Sequence, residues 1–154
     1  MLRLAGLVED RNITVNGQHV CARNNAKTLR RTAYYAAPRT LVDTWSAARH
    51  LAFCAPPGSW GMAGEVLTRA GFETAPGKTC DSAEALLALL GLDPECCVGN
   101  LSMGQRKKLA IAVMLTQVKT QLLLVDELLA NLDLESAEAM TRVILEYVRA
   151  SGTS

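Results

Sequence analysis

The sequence has no long apolar run, no surplus of one charge, few aromatic side chains and no regular spacing of cysteine. Stretches such as residues 109–115 fall far short of the roughly 17–25 apolar residues that a membrane helix needs, and no charged start followed by an apolar block reads as a signal peptide. Sixteen Lys and Arg against fifteen Asp and Glu leave a net charge of +1, and aromatic residues make up only 5%. That balance does not suit a protein that coats nucleic acid, so no nucleic-acid partner is expected. The five cysteines (Cys21, Cys54, Cys80, Cys96, Cys97) contain no C-x-x-C pair, which argues against a zinc knuckle or a disulfide framework. Together these absences describe a soluble, cytosolic chain with reduced, packed thiols.

What is present suffices for one ordinary domain. In 154 residues, 49% are hydrophobic and 20% charged, enough to bury a core and too much for wholesale disorder. Ile13-Thr14-Val15 before Asn16-Gly17 predicts a short strand and a turn, and Thr32-Ala33-Tyr34-Tyr35 a second strand stopped near Pro38. From Leu41 the pattern is helical, with breaks at Pro56-Pro57-Gly58 and Ala75-Pro76-Gly77. Asp81-Ser82-Ala83-Glu84 has the form of a capping box opening a helix over 85–92, which Gly91 and Pro94 end.

The last third carries the chemistry. Leu101-Ser102-Met103-Gly104-Gln105 opens a helix running to about Gln117, with Ser102 as cap and Gln105 as its reciprocal partner. Gly104 removes a side chain where something could approach the backbone, and the first N–H groups of a helix attract anions. Arg106, Lys107 and Lys108 sit near the positive end of the helix dipole, which is unfavourable without an anion or full solvation. The plainer reading is a well-capped helix with an exposed basic turn. Gln121-Leu122-Leu123-Leu124-Val125 then reads as a strand covered on both faces, ending in Asp126-Glu127. At the carboxyl end of a parallel strand Asp126 could hold Mg²⁺ and Glu127 could orient a water; the plainer reading is a strand ending in solvated acids. After Asn131-Leu132-Asp133, Ala137, Met140, Ile144 and Val148 form one apolar stripe of a last helix.

Taken together, LSMGQRKKLAIAVML and LLLVDELLANLD resemble the ATP-binding-cassette ATPases, and among them most the haem-exporter ATPases of cytochrome c maturation. The resemblance implies an α/β fold, a partial P-loop NTPase core with a helical subdomain. Residues 1–43 would be core strands and hairpin, 44–117 the helical subdomain with the signature helix, and 118–154 the Walker B strand, D-loop and following helix. It implies that residues 101–105, through Ser102, Gly104 and Gln105, contact the γ-phosphate of ATP on an opposing subunit. Asp126 would match the Walker B aspartate near Mg²⁺, Glu127 the catalytic glutamate and Asp133 the D-loop aspartate. The cofactors implied are ATP and Mg²⁺. The partners are a second ATPase subunit and a membrane-spanning transporter subunit, which would hold the chain at the cytoplasmic face of the membrane.

The same comparison shows departures. No G-x-x-x-x-G-K-[ST] loop occurs, because five residues, not four, separate Gly71 from Gly77-Lys78-Thr79; that segment reads as a turn. The chain reads as starting beyond the family's phosphate loop and stopping before its switch histidine, whose place neither His19 nor His50 takes. Ala36 or Ala37 stands at the glutamine that couples to the membrane partner, and Leu128 at the proline after the catalytic glutamate, a change expected to loosen the loop. A non-catalytic remnant or regulatory half-domain is therefore the alternative to an ATPase subunit.

Overall fold

The structure is a computed structural model describing residues 41–73, 79–117, 122–125, 127–130 and 132–151, with the strand backbones at 14–15, 18–19 and 32–35. Strands β1 (Thr14–Val15) and β2 (Gln18–His19) form an antiparallel hairpin with Thr14 opposite His19, as the Asn16-Gly17 turn signal predicts. Strand β3 (Thr32–Tyr35) lies parallel to β4 (Leu122–Val125), Thr32 beside Leu122 and Tyr35 beside Val125. The described residues between them belong to the crossover that a parallel pair requires, and most of them are helical. The described residues are mostly helix with little strand.

Ser46 caps α1 (Ala47–Cys54), its hydroxyl accepting from Arg49 N at 3.3 Å. Residues 43–46 lie along 97–99, through Val98 N to Trp45 O and Gly99 N to Asp43 O, both 2.9 Å. Helix α2 (Trp60–Arg69) follows the Pro56-Pro57-Gly58 break and ends before Gly71, whose φ of +95° only glycine adopts freely. The chain thus turns at Gly71; the break expected at residues 75–77 lies outside the described residues. Helix α3 (Ala83–Leu89) starts two residues before and ends three residues before the expected 85–92, and Ser82, not Asp81, takes the cap, accepting from Ala85 N at 3.2 Å. Glu84 then falls in the first turn, one position short of closing a capping box. Gly91, at φ +67°, ends α3 as expected.

Helix α4 (Met103–Leu115) crosses the centre, with Leu109, Ile111, Met114 and Leu115 fully buried beside Leu51 of α1, Leu67 of α2 and Leu86 and Leu87 of α3. Helix α5 (Leu134–Ser151) packs on α2, and Arg142 Nε donates to Ala70 O at 3.3 Å, just beyond the end of α2. Its buried face is Met140, Val143 and Tyr147, whereas Ala137, Ile144 and Val148 are only half-buried. The stripe therefore turns away from the one read in the sequence. Tyr147 buries a large apolar body completely, and its O–H donates to Gln117 O at 2.6 Å.

Candidate functional site

Two chain features meet here, the start of α4 and the turn that follows β4. Ser102 Oγ accepts from Gln105 N at 3.3 Å, and Gln105 Oε1 accepts from Ser102 N at 2.9 Å, the reciprocal box expected from the sequence. The box satisfies two N–H groups. Those of Met103 and Gly104 have no acceptor within the helix, because the first intrahelical bond is Arg106 N to Ser102 O at 2.9 Å. A Cβ built on Gly104 would meet nothing within 4 Å. Packing inside the chain therefore does not require glycine there; the open space faces outward over a helix start.

The three cations after the box do not face that space. Arg106 pairs with Asp43, and its Nη1 donates to Val98 O at 3.2 Å. Lys107 is buried, 5% exposed, and its Nζ donates to Leu128 O at 3.2 Å and to Ala130 O. Lys108 Nζ donates to Leu90 O at 3.1 Å, at the end of α3. The exposed basic turn of the plainer reading is not what forms, since carbonyl oxygens and the Asp43 carboxylate engage these side chains. One signal of this was legible: Lys107 stands at i, i+4, i+7 and i+8 with Ile111, Met114 and Leu115, on the buried face of the helix.

Val125 ends β4, and Glu127 follows as an exposed residue with φ +49°, among the described residues the one non-glycine in the left-handed region. Such a conformation costs roughly 1–2 kcal/mol and persists only where neighbours impose it. Here Ala130 N closes the turn onto Glu127 O at 3.2 Å, Leu128 is buried in the core, and Lys107 holds two of the turn's carbonyls. The Leu128 side chain is buried in the core, and its carbonyl accepts from Lys107 Nζ. An open cavity of about 440 Å³ lies against this turn, its lining including Val125, Glu127, Leu129, Thr141 and Ile144. Asp126 and Asn131 lie outside the described residues, as do residues 1–7, Ala36, Ala37, Gly77 and Lys78.

Asp133 caps α5. Its Oδ1 accepts from Ser136 N at 2.9 Å and its Oδ2 from Ser136 Oγ at 2.7 Å. The Ser136 backbone N–H first, and its hydroxyl second, hold this exposed carboxyl below the usual aspartate range. Among the described residues no three His, Cys, Asp or Glu side chains converge as metal ligands. No described helix is long and apolar enough to cross a membrane.

Over 73 residues the chain is 41% identical to the cytochrome c biogenesis ATP-binding export protein CcmA of Xanthomonas campestris pv. campestris, in two strains. The aligned stretch is 47% of this chain and 33% of those proteins, so the chain spans about a third of the curated relatives it matches. No family model matches the chain. The similarity supports a relationship to the ATP-binding-cassette ATPases.

Proposed function

We propose that the chain is the ATP-binding subunit of an ATP-binding-cassette transporter, coupling Mg-ATP hydrolysis to export, with haem export for cytochrome c biogenesis as the transport served. The observation that carries this reading is the capped start of α4, with open space over Gly104 and two N–H groups without an intrahelical acceptor. A γ-phosphate oxygen is an anion of the size and charge such a site accepts. Ser102, Gly104 and Gln105 would hold the nucleotide of a second ATPase subunit, and Asp133 would act across that dimer. Asp126 would hold Mg²⁺, which neutralises charge on the phosphates when bound. Glu127, exposed two residues beyond β4, would orient and deprotonate the attacking water. Residues 1–43 and 118–154 would share one incomplete P-loop NTPase core, a division supported by the β3–β4 pairing, and 44–117 would be the helical subdomain. A membrane-spanning partner would hold the protein at the cytoplasmic face.

A specific observation favours a second reading, a non-catalytic regulatory half-domain. The 154 residues contain no G-x-x-x-x-G-K-[ST], whose backbone donors and lysine clamp a triphosphate. Titration with a fluorescent ATP analogue separates the two. Under the first reading the chain binds at micromolar concentration, Asp126→Ala abolishes binding, and Glu127→Gln abolishes turnover while binding persists. An isolated chain that binds no nucleotide supports the second.

A further inference from the structure

The buried Lys107 ammonium does not fill the role of a core residue, because a methionine would occupy the same space without a charge to desolvate. Its ammonium has three donors, and the two carbonyls it reaches, Leu128 O and Ala130 O, both belong to the turn that begins at Glu127. Ala130 in turn donates its N–H to Glu127 O at 3.2 Å. One ammonium therefore fixes the orientation of two peptide groups in a turn whose first residue sits at φ +49°. Lys107 is also three residues after Gly104, so the group that fixes the turn rises from the first turns of the helix with the open N-terminus.

We propose that Lys107 is a positioning residue that clamps the 127–130 turn to the start of α4 and thereby holds Glu127 in its left-handed conformation. Its role in catalysis rests on the ATPase reading above; the clamp itself does not. Lysine suits the place because an ammonium is compact and serves two carbonyls at once, whereas a guanidinium is a broader planar fork. Lys108 supplies the contrast, since its Nζ donates to Leu90 O at the end of α3.

The test uses the full chain without nucleotide. NMR reads the one-bond Cα–Hα coupling of Glu127, which distinguishes positive from negative φ, and the hydrogen exchange of the Ala130 amide. In Lys107→Met the Glu127 coupling moves to its negative-φ value and Ala130 exchange rises at least tenfold, while Lys108→Met leaves both as in the parent. Lys107→Gln keeps the site polar and gives the same two changes, should the methionine variant not fold. A Glu127 coupling that stays at its positive-φ value in folded Lys107→Met or Lys107→Gln overturns the clamp, even where stability falls, and so does an equal response to Lys108→Met. ATP-analogue binding, measured on the same samples, reports separately on the ATPase reading.

Discussion

Ser102 and Gln105 hold each other: the serine hydroxyl accepts the glutamine's N–H, and the glutamine carbonyl accepts the serine's. Each bond satisfies a donor that the helix start would otherwise leave open. Ser102→Ala should lower stability by about 1 kcal/mol, the usual cost of a lost cap. Gln105→Ala should cost less, and the double variant less than the sum, because each residue orders the other. Urea denaturation of the four proteins measures the cycle; simple additivity would show that the two bonds do not act together.

Gly104 separates stability from binding. With open space at its Cβ position, Gly104→Ala should raise stability by up to about 1 kcal/mol, the gap between the two residues in helices. The same methyl group stands where a phosphate oxygen would approach. ATP-analogue affinity should therefore fall tenfold or more while the thermal midpoint rises. A variant that binds as well as the parent would remove Gly104 from the site.

Glu127 is held at a backbone conformation that glycine adopts without strain. Glu127→Gly should leave stability equal or higher, and Glu127→Val should lower it by about 1–2 kcal/mol, since a β-branched residue tolerates positive φ poorly. Both lose the carboxylate, so neither should hydrolyse ATP. Denaturation midpoints with a phosphate-release assay check both halves.

His50 gives the fold a dependence on pH. Val42 N donates to its Nδ1 at 3.5 Å, which leaves the proton on Nε2, facing Cys54 Sγ at 3.9 Å, with the Trp45 ring centroid 6.1 Å away. Burial holds the imidazole below its ordinary value of 6.5 and pushes the Cys54 thiol up. The folded chain keeps His50 neutral where the unfolded chain protonates it. Stability should therefore be full above about pH 6.5 and fall as pH drops from there toward the lowered folded value. His50→Gln should flatten that slope in urea midpoints between pH 5.5 and 7.5. Asp133 acts in a lower window: its contribution is present above the ordinary aspartate value and is lost as pH falls through its depressed folded one.

Where chemistry is local, the amino-acid order was sufficient. The Ser102–Gln105 box, the β1, β3 and β4 segments and the glycine stop at Gly91 all depend on neighbours a few residues apart, and the local pattern predicts them. Capping by Ser82 instead of Asp81 shows the limit, because two adjacent residues can each serve as a cap and the local pattern does not choose between them.

Tertiary structure decided the rest, for a physical reason that no local pattern holds. Whether a cation faces solvent, an anion or a carbonyl depends on which distant backbone comes within about 3 Å of it. Arg106, Lys107 and Lys108 read alike in the sequence, yet they end on Val98 O, Leu128 O and Leu90 O, from three separate parts of the chain. The residues themselves placed a capped glycine-bearing helix start and an acid beyond a buried strand. Only folding joined them, by bringing one lysine from the helix against the turn that bears Glu127.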